Sequence, residues 1–398
     1  MTRSPWIAWF VLSALALLIW IGTANQVSFQ AQADEGVYLY YASRVSERGP
    51  AVFPPLLKEY VENSAVRQYF PTPLRVFTLA ADAAAFRAVG GFLSLQLVSM
   101  ISFLMVLALV FVGVRSWFGT GTAFFTGLLL AVSPIWLAMS RRALSDAWSG
   151  FWMTAAVMGV IALLVRRNRS VWKWAGLGGL FAAAILSRES AIVLLPMAWT
   201  CLLFFQERDE KAVYGMAVAT AAALALVAVV WFLLFRDPGA VYRALAITAQ
   251  SVKTNTYAQQ YGGGPWFRPI LDAMLLSPGT VLLFIAGLGF YQANPAETIS
   301  RRVADLWVIL WLSALIFFCA GTRNIRYLLF LEVPYRLGAV LFLRQWKVRW
   351  PVWGKWAAGF CFGALILLDL LVFYRFFVLN GLYDPETAFL IRQYGLLP

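Results

Sequence analysis

Two adjacent carboxylates, Asp34 and Glu35, follow directly on the first long apolar run of the chain. Carboxylates are costly beside the hydrocarbon of a bilayer unless they have ionic partners or a chemical task. One such task is to accept the proton of an incoming hydroxyl group. The other interpretation is that the pair caps the following helix and interacts with its dipole.

Three further charged connections lie between apolar runs and carry Asp146, Arg188 and Arg326. Guanidinium groups bind phosphate through two parallel hydrogen bonds. Together with Asp34, these residues suit the transfer of a group from a phosphate donor anchored in the membrane. The arginines, with or without a divalent metal, would stabilise the departing phosphate.

The composition indicates a polytopic membrane protein. Of the 398 residues, 61% are hydrophobic and only 13% are charged, against about 25% charged in soluble domains. The net charge of +13 fits either a cytoplasmic topology signal or phosphate binding. The sequence contains no His, which excludes histidine acid–base catalysis and histidine metal ligands. We predict membrane lipids, and no nucleic acid, as partners.

Apolar runs of about 20 residues, the length that crosses a bilayer, predict an all-α protein with about eleven transmembrane helices. The first run exceeds the roughly 7 to 15 residues of a signal peptide core, so a spanning helix is favoured over cleavage after Ala31-Gln32-Ala33. The predicted spans are 6–24, 91–114, 121–138, 147–165, 172–187, 190–206, 212–235, 278–292, 303–320, 327–343 and 356–378.

Basic connections set the predicted orientation. Residues 166–173, 301–302 and 344–355 are rich in Arg and Lys and are predicted to face the cytoplasm, which requires a cytoplasmic N-terminus. The loops 25–90 and 236–277 then lie outside. Arginines are abundant on that side too. They are predicted to bind an anionic ligand, and the alternative is that they contact lipid headgroups or pair with acids.

The first outer loop is predicted to carry two surface helices, over 34–48 and about 74–89, with Pro54-Pro55 ending the first. The second outer loop contains three glycines followed by Pro265 and Trp266. Tyr261, Pro265 and Trp266 therefore form either a lid or acceptor-facing loop, or a flexible connector.

Charged residues are also predicted inside the membrane. Glu332 and Arg336 lie four residues apart, which favours pairing on one helix face. Asp369 lies within the last predicted span, and Arg375 is expected to be the partner that neutralises it, as the nearest basic residue in sequence. The three cysteines lie inside apolar runs and are predicted to be packing residues: Cys201, Cys319 and Cys361.

The sequence resembles the GT-C glycosyltransferases, such as the protein O-mannosyltransferases and the lipid A aminoarabinose transferases. The resemblance covers roughly residues 1 to 345 and begins with the Asp-Glu pair before a Tyr-rich helix. It departs from relatives at Gly264, where many have His. The C-terminal residues 346–398 are predicted to hold one last transmembrane helix and a short outer tail, without the larger C-terminal domain that many relatives have. The other matching segments are Ser133-Pro134, Ser145-Asp146-Ala147, Ser187-Arg188-Glu189-Ser190, Pro265-Trp266-Phe267 and Arg326-Tyr327-Leu328.

The resemblance implies an inverting sugar transfer from a polyprenyl-phosphate donor to a lipid, glycan or protein acceptor. The site would face outward from an integral protein of the bacterial inner membrane. Asp34 would be the base, and Glu35 and Asp146 would orient substrate or bind a divalent metal cation. The implied ligands of the donor phosphate are Arg188, Arg326 and Arg142.

Two other functions fit the same composition. A transporter or lipid flippase without catalytic chemistry commonly shows internal repeats and polar residues near the midplane. This chain shows no repeat and keeps most of its charges at the predicted outer edge. A non-catalytic partner of another enzyme is the third possibility.

Overall fold

The protein is described here by a computed structural model, which describes residues 5–63, 71–168, 170–205, 209–254, 265–293, 298–318, 324–350 and 352–384. Helices joined by turns and irregular segments make up these residues, and none of the described residues lies in a strand. The prediction of an all-α membrane protein is confirmed.

The helices are numbered in chain order. The first part of the chain forms α1 Pro5–Ala24, α2 Asp34–Arg48, α3 Phe53–Glu62, α4 Val76–Val89, α5 Gly91–Ala131, α6 Pro134–Ser140, α7 Asp146–Val165 and α8 Val171–Ser187. The second part forms α9 Leu194–Phe204, α10 Glu210–Phe235, α11 Pro238–Thr254, α12 Arg268–Leu276, α13 Pro278–Ala293, α14 Thr298–Phe318, α15 Glu332–Arg349 and α16 Trp353–Val372.

Five of the described helices are long and apolar enough to cross a bilayer by themselves. Their spanning segments are Trp6–Ala24, Gly91–Ala131, Asp146–Val165, Glu210–Phe235 and Trp353–Leu379. Shorter apolar helices lie among them, so the count of eleven spans stays a prediction.

Helix α5 joins parts of two predicted spans, 91–114 and 121–138. It runs for 41 residues and kinks at Gly119, whose backbone φ of 85° is outside the helical range. That φ lies in the region that glycine adopts most easily, since it has no Cβ atom. After a break at Ser133, the short helix α6 begins.

The loop over residues 25–90, which is predicted to lie outside, contains both predicted helices, as α2 and α4, and also a third. Helix α3 starts at Phe53 and carries Pro54 and Pro55 in its first turn. The prediction that these prolines only end the first helix was incomplete. Proline is well suited to a first turn because its missing N–H has no intrahelical acceptor there.

Two short 3₁₀ segments and one π segment bring polar residues to one end of the bundle. The segment Glu189–Val193 follows α8, and Ile325–Leu331 precedes α15. The π segment Phe373–Leu379 extends α16, and Leu382 N then donates to Phe376 O at 2.9 Å. The turn places residues 382–384 against the same end.

A buried ionic network lies between α15 and α16. Arg336 Nη2 donates to Glu332 Oε2 at 2.7 Å, which confirms the predicted pair. Arg336 Nη1 also pairs with Asp369, so the expectation that Asp369 uses Arg375 was wrong. Asp369 is buried facing α15, whereas Arg375 is exposed in the π segment.

The cysteines fit the predicted packing role in part. Cys201 is buried and Cys361 is half-buried, and both are free thiols. Cys319 lies outside the described residues.

Candidate active site

Four of the predicted site residues lie together. Arg326 Nη2 lies 3.5 Å from Asp34 Oδ2, and Arg326 Nε lies 3.8 Å from Asp146 Oδ1. Arg188 Nη1 donates to the same Oδ1 of Asp146 at 2.5 Å. These contacts join the starts of α2 and α7, the end of α8 and the 3₁₀ segment before α15, which are far apart in sequence.

Asp34 is the most accessible of these four residues. Its side chain is 19% exposed, whereas the side chains of Asp146, Arg188 and Arg326 are between 3% and 6% exposed. Burial raises the pKa of Asp34 above its ordinary 3.8, and the positive charge of Arg326 opposes that shift. A carboxylate with a raised pKa is a stronger proton acceptor.

The aromatic ring of Tyr327 packs against the two arginines of the site. The Arg188 guanidinium lies 3.6 Å from the centre of the Tyr327 ring, and the Arg326 guanidinium lies 5.3 Å from it. Both contacts are within the range of a cation–π interaction. The aromatic ring thus holds two arginines side by side against their mutual repulsion.

A second layer of polar contacts fixes the short turn after α8. Arg75 Nε lies 3.0 Å from Glu189 Oε2, and the hydroxyl of Thr72 donates to Glu189 Oε1. Arg75 also donates to the hydroxyl of Tyr38, whose oxygen lies 2.6 Å from Ser145 Oγ. This layer links α2 to the residues that precede Asp146.

Tyr38 remains a neutral hydroxyl at ordinary pH. Burial raises its pKa to about 12. Because its oxygen accepts from Arg75, its proton is available for Ser145 Oγ. Tyr38 and Arg75 were not among the predicted site residues. The available signal for Tyr38 was the Tyr-rich stretch after Asp34, and for Arg75 it was the Thr72-Pro73 turn that precedes it.

Asp384 also reaches the site and was missed. Its Oδ2 lies 3.5 Å from Arg326 Nη1, and its Oδ1 accepts from Asn324 Nδ2 at 2.7 Å. Asp384 belongs to the C-terminal residues 346–398, which the sequence interpretation set apart from the catalytic module. That division at residue 345 stays a prediction, but the described end of the chain contacts the site directly.

Glu35 is fully buried, and its contacts differ from those of Asp34. Its oxygens accept from Gln30 N at 2.7 Å and from Ala143 N at 3.1 Å, and Arg142 Nη1 lies 3.7 Å away. Arg142 also donates to Ser28 O at 3.0 Å. These contacts tie two backbone segments together.

The predicted lid residues lie only partly within the described chain. Pro265 and Trp266 precede α12, and Trp266 is 63% exposed beside Phe267. Tyr261 lies outside the described residues. The lid or acceptor-facing role stays a prediction.

The donor set does not fit a divalent metal held by Glu35 and Asp146. The oxygens of Glu35 accept from backbone amides, and Asp146 accepts from Arg188. Within the described ranges, no group of three carboxylate or thiol side chains is placed to hold a metal ion. Guanidinium groups occupy the places beside Asp146 where a cation would bind.

Comparison with known families supports the resemblance inferred from the sequence. Residues 73–234 match the family described as dolichyl-phosphate-mannose-protein mannosyltransferase. That segment contains Arg75, Asp146 and Arg188 of the site. Comparison with curated protein sequences gives no match.

Solved structures share the fold. ArnT from Cupriavidus metallidurans bound to undecaprenyl phosphate is 18% identical, with a TM-score of 0.63 over 90% of this chain and 63% of that chain. Its apo state is 19% identical, with a TM-score of 0.62 over 98% of this chain and 69% of that chain.

The archaeal oligosaccharyltransferase AglB from Archaeoglobus fulgidus, in complex with an inhibitory peptide and a dolichol-phosphate, is 13% identical. Its TM-score is 0.59 over 93% of this chain and 55% of that chain. The protein therefore spans a little under two thirds of the undecaprenyl-phosphate-bound ArnT chain and about half of the AglB chain. These matches confirm the fold that the GT-C resemblance implies.

Proposed function

We propose that the protein is a membrane glycosyltransferase that transfers a sugar from a polyprenyl-phosphate donor to a hydroxyl-bearing lipid, glycan or protein acceptor. The observation that carries the proposal is the meeting of an accessible carboxylate, Asp34, with two buried arginines, Arg188 and Arg326. ArnT and AglB, which share the fold, were solved with undecaprenyl phosphate and dolichol-phosphate respectively.

Arg326 has N–H groups that can donate hydrogen bonds to the phosphate. Its Nε and Nη1 are buried and have no hydrogen-bond acceptor among the described residues, although carboxylates lie 3.5 to 3.8 Å away. Buried N–H groups normally find an acceptor, and phosphate oxygens match the guanidinium fork. Arg188, stacked on Tyr327, adds a second positive charge.

The proposed reaction is a single displacement. The acceptor oxygen attacks C1 of the sugar, and its proton passes to the carboxylate of Asp34. The bond between C1 and the phosphate oxygen breaks, and its electron pair leaves with the polyprenyl phosphate held by Arg326 and Arg188. Attack opposite the leaving group inverts the configuration at C1.

Glu35 and Arg142 are assigned positioning roles in this proposal. Glu35 anchors the backbone at Gln30 and Ala143, next to the start of α2. Arg142 joins that anchor to Ser28. Asp146 orients Arg188 and Arg326, since it lies against both guanidinium groups.

The test is sugar transfer by the purified protein in proteoliposomes supplied with labelled polyprenyl-phosphate sugars. We expect Asp34→Asn to lower turnover by about 10²- to 10⁴-fold, the usual contribution of a general base. Asp237→Asn is the matched control, because Asp237 is exposed and its cap on Ala240 N at 2.9 Å can be made by Asn. Full turnover by Asp34→Asn would contradict the proposal.

The phosphate role has its own test. Arg326→Lys keeps the charge but loses the bidentate fork, so the KM for the donor should rise while folding is retained. Arg243→Lys, at a 63% exposed position, is the control. A flippase would instead move the donor lipid between the leaflets of the vesicle membrane without consuming it. That result would contradict the proposed transferase activity and favour a flippase.

A further inference from the structure

A groove lies between the kinked part of α5 and the ends of α15 and α16. Its volume is about 570 Å³, within the range of small-molecule sites. Its walls are mainly apolar or glycine, and cations line one part. The lining residues are Phe118, Gly119, Gly121, Thr122, Phe125, Val340, Leu343, Arg344, Lys347, Lys355, Ala358, Gly359 and Phe362.

The kink of α5 shapes one wall. The backbone at Gly119 leaves the helical conformation there, with φ 85° and ψ 168°. Arg344 Nη1 lies 3.4 Å from Phe118 O and 3.3 Å from Thr122 Oγ1, on either side of Gly119. The arginine side chain is therefore held across the kink.

The charged side chains that line the groove are all positive. Arg344, Lys347 and Lys355 line it, and no carboxylate does. Both lysines are exposed, and neither lies within 4 Å of an acid in the part of the chain that the structure describes. Three cations beside an apolar groove complement an amphiphile with a negative headgroup.

The groove is separate from the candidate active site. Helix α15 begins at Glu332, directly after the segment that carries Arg326. Arg344 lies twelve residues further on, which is about 18 Å along a helix axis. The connection 344–355 is also one of the basic segments predicted to face the cytoplasm.

We propose that this groove binds one anionic glycerophospholipid of the inner leaflet. Its phosphate lies against Lys347, Lys355 and Arg344, and an acyl chain lies along the wall formed by Phe125 and Phe362, whose rings meet edge to face at 5.0 Å. Basic pockets between transmembrane helices on the cytoplasmic side are suited to such headgroups.

The experiment measures lipid bound to the purified full chain by native mass spectrometry, with phosphatidylglycerol or phosphatidylcholine added. We expect one tightly bound phosphatidylglycerol and no comparable phosphatidylcholine. The variant Arg344→Gln/Lys347→Gln/Lys355→Gln should weaken phosphatidylglycerol binding roughly 100-fold, since each cation near a membrane surface contributes about fivefold. The matched control is Arg166→Gln/Lys173→Gln/Lys211→Gln, at exposed positions outside the groove.

A second pair of variants tests the apolar part without changing charge. A Cβ atom added at Gly359 or at Gly363 has no neighbour within 4 Å, but only Gly359 lines the groove. We expect Gly359→Leu to displace the lipid and Gly363→Leu to leave it bound. Equal binding of both lipids, retention by the triple variant or by Gly359→Leu, or competition by inorganic phosphate at similar concentration would overturn the proposal.

Discussion

Asp34 is largely buried beside a positive charge, and burial and the charge shift its pKa in opposite directions. Burial raises its pKa, and Arg326 lowers it, with burial the larger effect. In the proposed reaction Asp34 must begin as a carboxylate. Activity should therefore be lost as the pH falls through this raised pKa.

The first prediction follows from that sign. We expect the acid limb of the kcat/KM profile to lie at higher pH than the ordinary Asp value of 3.8. Arg326→Gln removes the charge that stabilises the carboxylate, so it should move the limb further toward neutral pH. The measurement is the pH profile in proteoliposomes, and Arg243→Gln is the control. If the acid limb of the Arg326→Gln profile lies at the same pH as in the wild type, Arg326 does not influence the pKa of the catalytic base.

Gly36 supplies the second prediction. A Cβ atom at this position would lie 1.9 Å from the backbone oxygen of Ala31, a distance that requires the start of α2 to move. Gly36→Ala should therefore displace Asp34 and reduce turnover, even though Ala favours helices. Gly22→Ala, where a Cβ meets open space, is the matched control. Wild-type turnover in Gly36→Ala would show that the close approach is not needed.

At the scale of helices, the buried network of α15 and α16 joins parts of the bundle behind the site. Arg336 contacts Glu332, Asp369, Ser277 and Thr280. Glu332 directly follows the segment that carries Arg326, and it accepts from Ser133 Oγ at 2.6 Å. The network therefore fixes where that segment enters α15.

The third prediction concerns this network. Arg336→Met removes the cation and leaves Glu332 and Asp369 buried without it, which should destabilise the fold by about 3–5 kcal/mol. Asp369→Asn keeps a polar partner for Arg336 and leaves the Glu332 pair intact, so its loss should be smaller. Unfolding in detergent, followed by circular dichroism, measures both. Equal stability of Arg336→Met and wild type would show that the network contributes little.

Local sequence patterns were sufficient to predict some parts of the site and of the fold. Asp34 and Arg326 stand at boundaries of apolar runs, and polar residues at the same end of a bundle can meet across sequence. Helix α2 was predicted over its observed range, Asp34–Arg48, because the apolar residues Val37, Tyr41 and Val45 recur every four positions. The proline pair at 54–55 was misread because proline also suits a helix start.

Other parts depend on the tertiary structure and had no local signal. Asp384 reaches Arg326 only because the π segment after α16 turns the chain back. Asp369 meets Arg336 across two helices, whereas proximity in sequence favoured Arg375. The inward orientation of Glu35 depends on the amides of Gln30 and Ala143, which no spacing rule identifies.

At the scale of the whole molecule, the charged residues divide between two ends. Asp34, Asp146, Arg188 and Arg326 meet at one end. The cations of the groove beside Arg344 lie at the other end of α15. If the positive-inside rule orients the chain, the transfer site faces away from the cytoplasm and the lipid groove faces it.

The last prediction tests that orientation by cysteine labelling. In a chain with its native cysteines replaced by Ser, Asp237→Cys should react with a membrane-impermeant maleimide in intact cells or spheroplasts. Lys173→Cys and Lys355→Cys should react only after permeabilisation, because their basic connections are predicted to be retained in the cytoplasm. The reverse pattern would place Asp34 on the cytoplasmic side, where the sugar donor would have to be presented by the inner leaflet. It would also move the lipid groove to the outer leaflet.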